Sequence, residues 1–213
     1  MPIELTDRDC EILSVLTNRL RVLSVKQVAR TWFSHTANPV RQARKRVRRL
    51  VVAGYLKYET VMAHKPLDVS GPKLSWRPGD PKPDLGKLAY QFKRRWRESI
   101  RPIDIVRASD AAHRTFGGYV RSGPLRISET SHELSLAEVY LWYRHHRPEQ
   151  AKRWKPECEL QATGNRHNSH LPDAVIPAGA GKRDLLIEFG GAYRKHKLLR
   201  LHEAYQLEAY ELW

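Results

Sequence analysis

Hydrophobic positions in the first quarter of the chain recur at intervals of three and four residues. One such run follows Thr6 and another follows Ser24, and both residues are typical helix N-caps. A third run starts after Asn38, which is also a good N-cap, and it ends at Gly54. The pattern therefore predicts three consecutive helices, followed by an alternating strand at residues 55–61.

The third predicted helix is apolar on one side and basic on the other. With residues placed at 100° intervals, its outward side carries Arg41, Gln42, Lys45, Arg48 and Arg49. So many cations within about three helical turns repel one another unless an anion offsets their charge. Phosphate is such an anion, which favours a nucleic acid as the partner. The alternatives are a solvated helix face or a surface for protein contacts.

Three helices followed by a strand hairpin form the layout of a winged helix-turn-helix domain, and residues 5–77 resemble that family. If the chain has this layout, residues 73–77 return beside the strand at 55–61. The proline-rich stretch 64–84 then forms the tip of the wing and an extended connection to the next helix. The third helix of such domains lies in the major groove. The resemblance therefore implies that the basic face of this helix contacts double-stranded DNA.

The second half of the chain predicts an α/β domain. Its pattern indicates a helix at residues 131–147, strands at 157–161, 171–176 and 184–189, a helix after residue 194, and a closing strand at 210–213. We expect an α+β protein with two domains. Residues 1–98 would form the DNA-binding domain with its proline-rich wing and following helix, and residues 99–213 the second domain.

Two of these predicted strands each carry one carboxylate in apolar company, Asp173 and Glu188. A buried carboxylate costs several kcal/mol unless it is paired, protonated or bound to a metal ion. Two carboxylates on neighbouring strands also repel each other unless a cation lies between them. Mg²⁺ or Mn²⁺ is the simplest such cation. In the alternative interpretation Asp173 caps a turn, and Glu188 pairs with Arg194 or Lys195.

The segments Pro172-Asp173 and Glu188-Phe189-Gly190 resemble the metal-binding motif of the PD-(D/E)XK nuclease superfamily. The order of predicted elements, helix, three strands, helix and strand, is similar to the core of that superfamily, whose sheet is mixed. The resemblance implies a Mg- or Mn-dependent DNA endonuclease with Asp173 and Glu188 as catalytic metal ligands. It also implies a glutamate from the first core helix as a further ligand. Glu138 matches that place, with Glu133 as the alternative, and a salt bridge of Glu138 to a nearby arginine is the structural interpretation.

One position departs from the superfamily motif. The motif has a lysine two residues after the second acid, where this chain has Gly190. An active site would need a catalytic cation from elsewhere, and Lys195 and Lys197 on the following helix are the candidates. The departure favours a second hypothesis, a DNA-binding regulator whose nuclease-like domain is inactive and serves for homodimer formation or partner binding.

The whole arrangement resembles the replication-relaxation family of plasmids and mobile elements. The segment 132–134, His-Glu-Leu, is similar to that family's His-Asp-Leu, and residues 154–157 to its Trp-x-x-Glu. The resemblance implies a DNA-associated protein of replication, transfer or defence.

Composition agrees with a polyanionic partner. Thirty-eight Lys and Arg against 23 Asp and Glu give a formal charge of +15. No apolar run approaches the ~20 residues that span a membrane. Cys10 and Cys158 fall in different predicted domains, so we expect no disulfide and a cytoplasmic protein. RNA is a third possible ligand, but no aromatic motif for stacking bases is visible.

Overall fold

The computed structural model describes residues 3–96, 98–120, 125–164, 170–179 and 183–213. The chain is a mixture of helices and strands. In chain order the elements are α1 (Asp7–Asn18), β1 (Leu23–Ser24), α2 (Val25–Trp32), α3 (Pro39–Val52), β2 (Leu56–Ala63), β3 (Leu74–Trp76), α4 (Leu85–Lys93), β4 (Arg101–Ala108), α5 (Asp110–Phe116), α6 (Ile127–His146), α7 (Pro148–Lys152), β5 (Lys155–Pro156), α8 (Glu157–Ala162), β6 (Ala174–Ile176), β7 (Leu185–Glu188), α9 (Lys195–Tyr205) and β8 (Ala209–Leu212).

The chain folds into two compact units, each built from two segments. Unit 1 contains Met1–Lys65 and Ile100–Ala137, and unit 2 contains Pro66–Ser99 and Glu138–Trp213. The boundary expected at residue 98 does not coincide with these units. The reason lies in strand pairing, because β4 pairs with β2 in one sheet and β3 pairs with β8 in the other. Such pairings join residues far apart in the chain.

The first three helices of unit 1 begin at the caps that the sequence predicts. Thr6 and Ser24 each form a capping box, in which the cap side chain and the side chain three residues later bond each other's backbone N–H groups. Asn38 Oδ1 accepts from the backbone N–H of Arg41 at 3.2 Å, and proline occupies the first turn of α3. These local signals fix where the helices start.

The sheet of unit 1 is antiparallel, with the strand order β1-β4-β2. β2 and β4 pair along their full length, from Leu56 opposite Ala108 to Ala63 opposite Arg101. The prediction that residues 73–77 return beside β2 is therefore wrong. β4 has eight residues and pairs with all eight residues of β2, whereas β3 has only three residues and would leave most backbone groups of β2 without a partner.

Unit 2 contains a five-stranded mixed sheet with the order β3-β8-β7-β6-β5. β7 and β8 are parallel and are joined through α9, whereas the other pairs are antiparallel. α4 and α9 belong to the same hydrophobic core, in which Phe92, Leu198 and Tyr205 are fully buried. The arrangement brings β7 to the middle of the sheet, with its last residue, Glu188, beside this core.

The strand predicted at residues 157–161 is wrong, because this segment is helix α8. Its alternation of polar and apolar residues is too short to separate a strand from a helix turn. Glu157 and Glu159 lie in the first turn, where the positive end of the helix dipole favours acidic side chains. The strand that pairs with β6 is the preceding dipeptide, Lys155–Pro156.

The two cysteines form no disulfide with each other. Among the described helices, none has the length and apolar character needed to cross a membrane.

Candidate functional site

The basic side of α3 faces solvent. Ala43, Val47 and Leu50 are buried and attach the helix to unit 1. The five residues predicted to contact DNA are all exposed: Arg41, Gln42, Lys45, Arg48 and Arg49. Their side chains, with those of Asn38, Val40 and Arg44, border an open groove along the helix.

Two further arginines of α3 are bound to acidic side chains within unit 1. Arg46 holds the carboxylate of Asp9, with its Nε 2.9 Å from Oδ1. Arg44 lies 3.2 Å from Oδ2 of Asp104 on β4. These contacts tie α3 to α1 and to the sheet.

By contrast, the four exposed cations, Arg41, Lys45, Arg48 and Arg49, make no salt bridge with an acid in the described parts of the chain. Their like charges are therefore crowded on one helix face without internal compensation.

The strand β2 contributes one residue near the basic side of α3 that the sequence pattern did not single out. Tyr58 is 38% exposed and lies near Asp104, Arg44 and Arg48. Burial, followed by its hydrogen bond with Asp104, raises the pKa of the Tyr58 hydroxyl, so this group stays a neutral donor. Its only sequence signal was membership of an alternating strand.

The second candidate site is the acid pair, Asp173 and Glu188. The hairpin of β6 and β7 places Ala174 opposite Ile187, so the residue before β6 lies beside the end of β7. One oxygen of Asp173, Oδ2, accepts from the backbone N–H of Phe189 at 2.7 Å. The two carboxylates are near enough that Asp173 raises the pKa of Glu188, although burial of Glu188 is the larger cause.

Glu188 is almost fully buried, and its two oxygens have different surroundings. Oε1 accepts from the hydroxyl of Tyr193 at 2.9 Å and lies 3.6 Å from Nε2 of His170. Oε2 has no hydrogen-bond partner within the described residues. The interaction with Glu188 raises the pKa of His170, which favours a protonated imidazole beside the carboxylate. The residues beside the Glu188 carboxylate are thus Tyr193 and His170, and not Arg194 or Lys195 as in the alternative interpretation.

Tyr205 on α9 also lies near enough to the acid pair to feel its charge. Burial first, and then the charges of Glu188 and Asp173, raise the pKa values of both the Tyr193 and the Tyr205 hydroxyls. Both tyrosines therefore remain protonated. Sequence reasoning missed these tyrosines and His170, because only the fold brings them to the two strands.

The two predicted catalytic lysines are placed differently. Lys195 is exposed at the start of α9. Lys197 is half-buried, and its Nζ lies 3.5 Å from the centroid of the Tyr193 ring, the same ring whose hydroxyl binds Glu188. Lys197 is thus the predicted lysine that the structure associates with the acid pair.

The predicted set of three metal-binding carboxylates is not assembled. Glu138 is buried on α6, but no group of three or more His, Cys, Asp or Glu side chains within the described ranges is arranged to hold a metal ion. The alternative, Glu133, is bound to Arg21 at 3.1 Å in unit 1. Asp173 and Glu188 are the two predicted ligands that do lie together.

Comparison of the chain with protein-family models, with curated proteins and with solved structures found no match.

Proposed function

We propose that this protein binds double-stranded DNA through the exposed face of α3. The observation that carries the proposal is the crowding of Arg41, Lys45, Arg48 and Arg49 on one solvent-facing side without acidic partners in the described chain. Neutralisation of phosphates by such side chains supplies most of the affinity of non-specific DNA binding. Gln42 in the same face has the amide geometry that pairs with adenine in the major groove.

The layout of unit 1 supports the same proposal. Three helices are followed by the antiparallel pair β2 and β4, as in a winged helix-turn-helix domain, and α3 is the helix that such a domain presents to DNA. Asp9 and Asp104 fix α3 through Arg46 and Arg44 while leaving the outer cations free. A preformed cationic helix loses little conformational entropy on binding.

The test is the affinity for a labelled duplex, measured by fluorescence anisotropy. Arg41→Ala/Lys45→Ala/Arg48→Ala replaces three exposed side chains, so the fold should persist. If each side chain neutralises one phosphate, the affinity at low salt should fall by about tenfold or more. Unchanged affinity would remove α3 from the interface.

A second candidate function, favoured by the environment of Glu188, is metal-dependent hydrolysis of DNA phosphodiesters in unit 2. The buried oxygen Oε2 without a hydrogen-bond partner in the described chain, beside a second carboxylate, is the electrostatic situation that a divalent cation relieves. Oxygen ligands suit Mg²⁺ and Mn²⁺, which keep several waters. The residues present therefore fit such an ion at Asp173 and Glu188, with water completing its coordination.

In this function the ion would supply an activated water for attack on phosphorus. The hydroxyl of Tyr193 donates to Oε1 of Glu188 and so restricts the orientation of the carboxylate, while the imidazole of His170 lies 3.6 Å from the same oxygen. Lys197 brings a positive charge beside them, at a site where the superfamily lysine is absent. If the protein does not cleave DNA, the alternative is a regulator that uses unit 2 for dimerisation or partner binding.

A further inference from the structure

Two helix ends of unit 2 meet at the carboxyl end of β7. Nη1 of Arg95, just after α4, donates to the backbone oxygens of Gly190 and Trp213. The ring of Phe92 on α4 lies 6.5 Å from that of Tyr193, just before α9. The last residues of α4 and the first residues of α9 therefore lie at the same end of the strand, beside Glu188.

Both helix ends are basic. Together they carry six cations, which we call the β7 rim: Lys93, Arg94, Arg95, Arg194, Lys195 and Lys197. Four of the six are exposed, and Arg95 and Lys197 are half-buried. No member of the rim makes a salt bridge with an acidic side chain that the structure describes. The rim is thus a second concentration of positive charge, on other elements than α3.

The order of charges along α9 adds to this excess. The first turn of α9 contains Lys195 and Lys197 and no acidic residue, and its N-cap, Arg194, makes no side-chain capping bond. Cations are unfavourable at this end of a helix, where the dipole is already positive. Such an arrangement destabilises the free protein and becomes favourable when an anion approaches.

Arg95, just after α4, is a half-buried cation of the β7 rim. Its guanidinium lies 3.9 Å from the ring centroid of Phe92 and 5.1 Å from that of Phe189, and it makes no salt bridge with an acidic side chain in the described chain. Burial lowers its pKa to about 10. Through its bonds to the oxygens of Gly190 and Trp213, Arg95 holds the chain in place at the end of β7.

We propose that the β7 rim binds the sugar–phosphate backbone of duplex DNA next to the acid pair, as a contact separate from that of α3. The inference rests on the proposed DNA-binding function for the identity of its ligand. Several cations spaced along two helix ends suit a row of phosphates better than a single anion. An anionic lipid surface is less suitable, because the exposed side of these helix ends offers few large apolar side chains for insertion besides Tyr90.

The test uses the full chain and the variant Arg94→Ala/Lys195→Ala, which removes two exposed rim cations. The matched control, Arg77→Ala/Lys82→Ala, removes two exposed cations of the same unit from the loop between β3 and α4. Duplex affinity is measured by anisotropy over a range of salt concentrations, and thermal unfolding verifies that both variants fold.

The rim variant should flatten the slope of log K against log salt by about 0.9 for each of the two phosphates that it no longer neutralises. When the salt concentration is raised from about 50 to about 200 mM, both proteins lose affinity. The factor lost by the rim variant should be about ten times smaller than the factor lost by the wild type. The control should keep the wild-type slope. A rim variant that behaves like the control overturns the proposal.

The same measurement separates this inference from the function of α3. If α3 does not bind DNA, Arg41→Ala/Lys45→Ala/Arg48→Ala keeps the wild-type slope while the rim variant still flattens it. If the rim does not bind DNA, only the α3 variant flattens the slope.

Discussion

The ring of Phe92 packs directly on Gly190, so that a Cβ atom added at residue 190 would lie 2.3 Å from a ring carbon. A lysine cannot enter this position while Phe92 stays where it is. The space that a side chain would need at residue 190 is therefore filled by a residue from α4. The positive charges near the acid pair come instead from Lys197 and Arg95.

This packing predicts that Gly190→Ala destabilises the protein. The added methyl group has to displace a buried ring, and overpacking of this kind costs about 1–3 kcal/mol. The free energy of unfolding, measured by urea denaturation, should fall by that amount. Gly179→Ala is the control, since a Cβ atom at that residue meets nothing within 4 Å.

A second substitution tests the cause of the destabilisation. Phe92→Leu makes room near residue 190, so the cost of Gly190→Ala should be smaller in that background than in the wild type. Equal costs in both backgrounds would show that Phe92 is not what excludes a side chain at residue 190.

Asp9 gives a prediction about acid stability. Burial acts to raise its pKa, but hydrogen bonds from Arg46 and Thr6 outweigh this effect, so the pKa is lower than the ordinary value of 3.8. A carboxylate whose pKa is lowered by folding contributes stability above its unfolded pKa, and that contribution disappears as the pH falls through the folded value.

Asp9→Asn should therefore cost about 1.5–3 kcal/mol at neutral pH, because Arg46 loses its carboxylate partner and keeps the backbone oxygen of Glu4. The difference from the wild type should shrink as the pH falls below about 4. Asp7→Asn is the matched control, because Asp7 is exposed in the same helical turn. Urea denaturation at several pH values measures both. A difference for Asp9→Asn that does not change with pH would contradict the account of this ion pair.

Local signals account for the elements that the sequence predicts correctly. The start of α3 follows from Asn38 and Pro39, and its exposed side follows from the spacing of Ala43, Val47 and Leu50. The pairing of strands is not a local property. Nothing within residues 73–77 indicates that this segment pairs with residues 210–212 of β8, or that β2 pairs with β4.

The same distinction applies to the acid pair. Two acids in apolar strands were enough to predict that Asp173 and Glu188 lie together. The residues that interact with them come from a loop, a turn and a helix: His170, Tyr193 and Tyr205. Their separation along the chain carries no periodic signal, so only the folded arrangement reveals them.

The acid pair predicts stabilisation by Mn²⁺ that does not depend on any cleavage. An ion that binds only the folded protein stabilises it by about 2.7 kcal/mol at a concentration 100 times its Kd. Thermal unfolding of the wild type should therefore shift upward with Mn²⁺. Glu188→Gln and Asp173→Asn should abolish the shift, whereas Asp184→Asn, at the other end of the same hairpin, should retain it.

Cleavage is a separate readout. Supercoiled plasmid and linear duplex, incubated with Mn²⁺, should be cut by the wild type and not by Asp173→Ala or Glu188→Ala. A thermal shift without cleavage would favour the regulator over the nuclease. The absence of any thermal shift with the wild type would contradict a metal site at the acid pair.

The most direct test of the central claim is the salt dependence of duplex binding by α3. Wild type is compared with Arg41→Ala/Lys45→Ala/Arg48→Ala and with a control that removes three exposed cations elsewhere, Arg77→Ala/Lys82→Ala/Arg114→Ala. If the face of α3 lies on the DNA backbone, the slope of log K against log salt flattens by about 0.9 for each phosphate that the α3 variant no longer neutralises. The control keeps the wild-type slope. Equal slopes for the α3 variant and the wild type would contradict the account.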